Sequence, residues 1–216
     1  MFPSHTITAF TPVTINAGHP TASADIAVGA AALTVKVVSG QVSFDLSSFI
    51  LRPNQPPQEL LAWIDDRLSD DQATLSMYGP DRVVELLSQL PDVIYSSGFR
   101  SLAGGGNQPI IRLQVEDRRR FISLHKACAQ AHIACASTDP AERFVAWIKG
   151  DIHQIAVDAE IDAIATWRMT VAAIERKSGL GRELATILHR HLVQWLRDTD
   201  RASTRAHERN LTPIAG

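Results

Sequence analysis

At 216 residues the chain is long enough to bury one sizeable core. With 45% hydrophobic and 20% charged residues it has the composition of an ordinary globular protein, not of a disordered or fibrous one. A formal net charge of -2 and a sequence pI of about 6.4 exclude a protein that holds nucleic acid by bulk charge alone, although a local basic patch remains open.

The first half reads as β-rich. "HTITAF" (5–10) carries β-branched residues in partial alternation and predicts a strand. A Gly/Pro/Ser turn region, "NAGHPTASAD" (16–25), follows. "IAVGAAALTVKVVSG" predicts a long strand closed by a turn at Ser39 and Gly40. In "QVSFDLSSFIL" (41–51), Val42, Phe44 and Leu46 alternate with Ser43, Asp45 and Ser47, the pattern of a half-buried return strand. Together these predict an antiparallel meander. "PQELLAWIDDRLSDD" (57–71) sets Leu60, Leu61, Ile64 and Leu68 at helical spacing. "ATLSMYG" (73–79) is a short strand, and "PDRVVELLSQL" (80–90) a helix with Pro80 in its first turn, where proline is tolerated. "FRSLAGGGNQP" (99–109) reads as a flexible loop.

The remainder reads as helical. The spans are "VEDRRRFISLHKACAQAHI" (115–133), "DPAERFVAWIKG" (139–150) with Asp139 and Pro140 as cap and first turn, residues 151–179 closing on Lys177, Ser178 and Gly179, and residues 181–201. Residues 202–216 read as a flexible polar tail, leaving residues 1–201 as a single domain. The order of elements predicts an α/β fold: an antiparallel three-strand meander plus parallel strands, flanked by helices, with a helical C-terminal half. Cys128 and Cys135 lack CxxC spacing and nearby paired histidines, so zinc is not expected and reduced thiols are. The start "MFPSHTITAF" has no basic segment followed by an apolar one, and the run "IAVGAAALTVKVV" is broken by Lys36 and too short for a bilayer. The expectation is a cytoplasmic protein without a membrane partner.

Three stretches carry a resemblance. "WIKGDIHQIAVDAEIDAIATWRM", the closest match and the only specific one, and "ALTVKVVSGQVSFDLSSFILRP" and "ATLSMYGPDRVVELL" resemble segments of the DEDD-type proofreading 3'–5' exonuclease family, which has a ribonuclease-H-like fold. The resemblance covers roughly residues 5–178. It sets Asp162 on the family's final metal-binding Asp, Asp158 four residues earlier where many members carry Tyr or His, and Asp81 on the second-motif acid. It implies catalytic Asp81, Asp158 and Asp162, with Asp81 and Asp162 as ligands of magnesium or manganese. Such enzymes hydrolyse phosphodiesters with two cations about 3.5–4 Å apart, held by carboxylates and water. Two of those carboxylates come from the first strand as Asp-x-Glu, on one face because strand side chains alternate. Here "ITAFTPVTI" puts Thr11 and Val13 at those positions. Thr11 offers a weak hydroxyl ligand and Val13 none, so the resemblance implies a degenerate metal site. In a second registration, "FDLSS" supplies Asp45 as the first acid with Ser47 in place of Glu. That leaves only "DRLSDDQATL" before the second motif, too short for two strands and a helix.

Plainer roles compete for the same residues. Asp158 and Asp162 also fit a polar stripe on a helix packed by Ile155, Ile161 and Ile164; as like charges four apart they cost that helix a few tenths of a kcal/mol. Asp81 suits a helix N-terminus. A lone His153 is more often exposed or structural. The basic residues Arg118, Arg119, Arg120 and Lys126, and Arg182, His189, Arg190, His191, Arg197 and Arg201, are solvated faces or phosphate contacts. Gly104 to Gly106 lack the Lys-Ser/Thr of a phosphate loop. Two functions follow as expectations: a nucleic-acid-related, exonuclease-like protein with weak or absent activity that binds single strands, or a scaffold that forms a homodimer or binds a protein partner. An active nuclease would require Asp45, Asp81, Asp158 and Asp162 to converge.

Overall fold

The computed structural model describes residues 5–16, 18, 25–117, 120–176 and 179–211. Arg118 and Arg119 of the basic cluster, the Lys177–Ser178 helix stop, most of the 16–25 turn and residues 212–216 of the expected tail lie outside them.

Strands β1 (His5–Asn16), β2 (Asp25–Val38) and β3 (Gln41–Ile50) form the antiparallel meander, turning at Ser39 and Gly40. Helix α1 (Pro57–Arg67) crosses the sheet to β4 (Thr74–Tyr78), which pairs parallel to β1. Helix α2 (Pro80–Leu87), a short 3-10 turn at Val93–Tyr95 and α3 (Ser97–Leu102) lead to β5 (Ile110–Leu113), parallel to β4. The five strands run in the order β3-β2-β1-β4-β5, a mixed sheet flanked by helices. β1 is twice as long as "HTITAF" suggests and includes Pro12. β4 reaches only to Phe10, so Pro12 lies where β1 is paired on one side, and a missing N–H is tolerated there.

The strands' alternation divides the apolar residues between two layers. Ala9, Val13, Ile15, Leu33 and Val35 pack against Ile155, Ala159, Ala163 and Trp167 of α6 (Ile152–Glu175) and Leu188 and Leu192 of α7 (Gly179–Asp198). Phe10, Ala30, Leu75 and Met77 pack against α1, α2 and α3 through Leu60, Ile64, Leu87 and Leu102. Small Ala159 and Ala163 let α6 lie close to the sheet, and fully buried Trp167 meets Phe44 edge-on with ring centroids 6.4 Å apart. Buried hydroxyls fix α6 along its axis: Thr166 Oγ1 is 3.1 Å from Thr11 Oγ1, and Thr170 Oγ1 is 2.7 Å from Ser76 Oγ.

The structure corrects the sequence in three places. Residues 115–133 are not one helix. They form a hairpin of β6 (Glu116–Asp117) and β7 (Arg120–Phe121), then α4 (Leu124–Gln130), which starts only where Ser123 Oγ accepts from Lys126 N. "EDRRRF" has no apolar face to bury as a helix. The stretch read as loop begins inside α3, whose residues 99–102 it includes, and the Gly-rich turn folds back on that helix, with Gly105 N donating to Arg100 O at 2.8 Å. Beyond it, β5 is four residues long, too short for periodicity to identify. Residues 202–211, read as a frayed tail, are helix α8 (Ala202–Leu211), with Ser203, Thr204 and His207 buried. Polar bonds hold α8: Ser203 Oγ donates to Glu160 Oε2 at 2.7 Å, and His207 Nε2 lies 2.9 Å from Ile161 O. Hydropathy cannot register an element docked by its polar side. Helix α5 (Pro140–Ile148) forms as expected, its N-terminus capped by Asp139 accepting from Ala141 N at 2.8 Å.

Candidate functional site

A cleft of about 640 Å³ opens just past the C-terminal ends of β4 and β5, beside β1 and α6. Ligands of open α/β sheets favour the carboxyl ends of parallel strands. Thr11, Asp81 and Asp162, far apart in sequence, all line this cleft. Val13, Asp45 and Asp158 do not line it.

Asp81 stands in the first turn of α2, immediately after Gly79, whose φ of 59° turns the chain from β4 into the helix. Its side chain is 83% exposed and accepts from Arg112 Nη1 at 3.3 Å. An acid suits a helix N-terminus, and an exposed pair of this kind contributes little. Thr11 Oγ1 lies 3.1 Å from Thr166 Oγ1. Val13 shares Thr11's face but is sealed in the core under α6.

The two aspartates of α6 have a definite task. Asp162 Oδ1 accepts from Ala136 N at 2.9 Å and from Cys135 Sγ at 3.1 Å. Asp158 Oδ2 accepts from Thr138 Oγ1 at 2.5 Å, and its Oδ1 from Gln154 Nε2 at 2.9 Å. Residues 135–138 lie in irregular chain between α4 and α5, and their polar groups need partners. Asp158 and Asp162 supply them, fastening this segment to α6 along one wall of the cleft. Burial pushes the Asp162 carboxyl above the usual range; the bonds from Cys135 and Ala136 and the charge of Arg143 oppose that, and nearby Asp158 adds to it. A hydrogen bond with the Cys128 thiol, then burial, pushes Cys135 upward too, so it stays a protonated donor.

A two-cation site does not fit this donor set. Asp162, on the cleft wall, is engaged through Oδ1 by Cys135 and Ala136, Asp81 is exposed and paired with Arg112, and Asp158 is buried outside the cleft. Among the described residues no three His, Cys, Asp or Glu side chains form a group able to hold a metal. Asp45 sits on β3, paired with Arg67 at 3.0 Å. His153 is exposed.

Sequence reasoning missed what else surrounds the cleft. Arg143, on α5, donates through Nη1 to Thr14 O at 3.2 Å and through Nη2 to Thr138 O at 3.1 Å, while its buried Nε has no partner. Arg82 pairs with Asp25 at 2.7 Å. Phe121 lines the cleft with 62% of its surface exposed, and Tyr78, Gln114 and His125 complete the set. The hairpin that presents Phe121 was hidden in a supposed helix, and a lone arginine on a short helix carries no motif. No helix among the described residues is long and apolar enough to cross a membrane.

Compared with known proteins, the chain matches no family model and no curated relative.

Proposed function

We propose that this chain is an exonuclease-like protein of ribonuclease-H-like fold that binds single-stranded nucleic acid in its cleft without two-metal hydrolysis. The observation that carries this is the cleft itself. It gathers Thr11, Asp81 and Asp162, which the resemblance sets on three family motifs, together with an exposed aromatic and two arginines. The sheet order β3-β2-β1-β4-β5, a meander followed by parallel strands, agrees with the fold that the resemblance implies. Phe121 offers a face on which a base stacks, worth about 1–3 kcal/mol per base in such proteins. Arg143 offers a guanidinium without a carboxylate partner among the described residues. Its neighbours Arg82 and Arg112 are already neutralised by Asp25 and Asp81. The cleft's charge is therefore nearly balanced, and binding is expected to rest on stacking and hydrogen bonds, with a shallow salt dependence.

The test uses a labelled single-stranded oligonucleotide, DNA and RNA, in two assays. Fluorescence anisotropy should report binding that Phe121→Ala and Arg143→Gln each weaken roughly tenfold. Incubation with magnesium or manganese should leave the strand intact. Loss of nucleotides from the 3' end, abolished by Asp162→Ala, would show a working metal site and overturn the proposal in favour of an active exonuclease. Absence of binding would overturn it in favour of a scaffold.

A scaffold that pairs with a second copy or another protein is the second reading. Leu184 and Ile187 favour it, since both lie exposed one turn apart on α7. Light scattering of the chain and of Ile187→Glu would detect such a pairing.

A further inference from the structure

On the side of α6 facing α7, away from the cleft, lies a groove of about 570 Å³. Arg168, Val171, Ala172, Glu175 and Arg176 line it, at the spacings of one helical stripe. Ala185, His189 and Leu192 of α7 face them, with Ile133 beyond the end of α4. The volume falls in the range of small-molecule sites, about 300–1,000 Å³.

Arg168 is the unusual member. It is half-buried, and burial lowers its guanidinium from the ordinary arginine value. Charges removed from water are normally paired. No carboxylate among the described residues forms an ion pair with Arg168. Its Nη1 instead meets two neutral acceptors of α8, Asn210 Oδ1 at 2.6 Å and His207 Nδ1 at 3.3 Å. Asn210 Oδ1 also accepts from Ala134 N at 3.0 Å. His207 Nε2 lies 2.9 Å from Ile161 O. Donation there leaves Nδ1 as the acceptor, which suits a neutral ring. These contacts hold the side chain in place without neutralising it. Nε and Nη2 have no hydrogen-bond partner among the described residues. A fixed arginine whose Nε and Nη2 edge is unpartnered suits a bidentate oxyanion. Exposed Arg176 adds a second positive charge against the single carboxylate of Glu175, and half-buried Ile133 and Ala172 supply apolar wall over the buried Val171, Ala185 and Leu192.

We infer that the groove between α6 and α7 is a binding site for a small amphiphilic oxyanion, a carboxylate or phosphate monoester, held at its head by Arg168 and along its apolar body by Ile133 and Ala172. It is separate from the nucleic-acid cleft and does not depend on it.

The test is calorimetric titration of the full chain with octanoate, octyl phosphate, 1-octanol and inorganic phosphate. One or both of the octyl anions should bind at one per chain, and more tightly than octanol or inorganic phosphate. Which of the two binds tighter distinguishes a carboxylate ligand from a phosphate ester. Arg168→Gln should weaken that binding roughly tenfold to hundredfold, the effect of a lost charge-assisted contact. Because Arg168 also ties α6 to α8, Ala172→Phe serves as the second variant: it fills the groove and leaves the arginine's bonds alone. It should abolish octyl-anion binding with an unchanged circular dichroism spectrum. Octanol or inorganic phosphate binding as tightly as the octyl anions would overturn the inference. So would no binding of either octyl anion, or affinity unchanged in folded Arg168→Gln or in Ala172→Phe.

Discussion

Ser76 and Thr170 allow the attachment of α6 to the sheet to be measured. Both are fully buried, and their hydroxyl oxygens are 2.7 Å apart. Thr170 Oγ1 also donates to Thr166 O at 2.8 Å, so it receives the proton of Ser76. Thr170→Val keeps the shape but strands the Ser76 donor away from water, a loss of about 1–3 kcal/mol. Ser76→Ala removes the donor and leaves Thr170 an unused lone pair, about 1 kcal/mol. The double variant Ser76→Ala/Thr170→Val strands nothing and should cost no more than the milder single change. The coupling is then about 1–3 kcal/mol, well above the ~0.3–0.5 kcal/mol scatter of independent sites. Urea unfolding with linear extrapolation reads it, and the slope should not change. The thermal midpoint of Thr170→Val should fall by roughly 2–12 °C for a chain of this size. Additive losses in the double variant would refute the claim that a buried hydroxyl pair fixes α6 on the sheet. That claim matters for the cleft because Asp162 is one turn before Thr166, whose hydroxyl meets Thr11.

Three further outcomes are expected. His207 is fully buried, which lowers its pKa to about 4, with the charge of Arg168 adding to this and the bond to Ile161 O opposing it. The unfolded state binds the proton first, so this stability is whole above about pH 6.5 and is lost as pH falls toward 4, on the order of 3 kcal/mol over that window. Urea titrations across pH 7 to 4.5 should show a weaker acid loss in His207→Gln than in the native chain, and identical slopes would refute the assignment. Asp162 is shifted the other way: its raised carboxyl makes the folded state hold its proton, so its contribution declines as pH rises from about 3.9 through the raised value. Asp162→Asn can still accept from Ala136 N, so by urea unfolding at pH 7 it should be as stable as the native chain or more so; a large loss would mean the charge itself is needed. Gly29 of β2 lies opposite Ile50, where an added Cβ would come 2.4 Å from Phe49 O. Gly29→Ala should lower stability by about 1–3 kcal/mol or more, checked by thermal unfolding.

Much of the fold was legible because it is written in short-range patterns. Alternation in "QVSFDLSS" marks β3, and a turn at Ser39 and Gly40 joins it to β2. Asp139 and Pro140 announce the start of α5. Elements without such a signature were lost: four-residue β5, two-residue β6 and β7, and α8, whose buried residues are polar. For the cleft, Thr11, Asp81 and Asp162 were singled out only through the family resemblance, while the presence of Thr and Val rather than acids at positions 11 and 13 is a fact of the chain itself.

What those residues do depends on partners distant in sequence. The carboxyl groups of Asp158 and Asp162 have the same chemistry in any helix; that they grip Thr138, Cys135 and Ala136 follows only once the segment after α4 is laid beside α6. Phe121 and Arg143 enter the cleft from a hairpin and a helix that local pattern cannot position. Arg168 is one of many arginines until α8 docks by its polar face and holds it with neutral acceptors. Periodicity is a local property, set by which face of an element meets the core, and one chain determines it. Hydrogen-bond partnership and the burial of charge are set by packing between elements, and only the tertiary structure decides them.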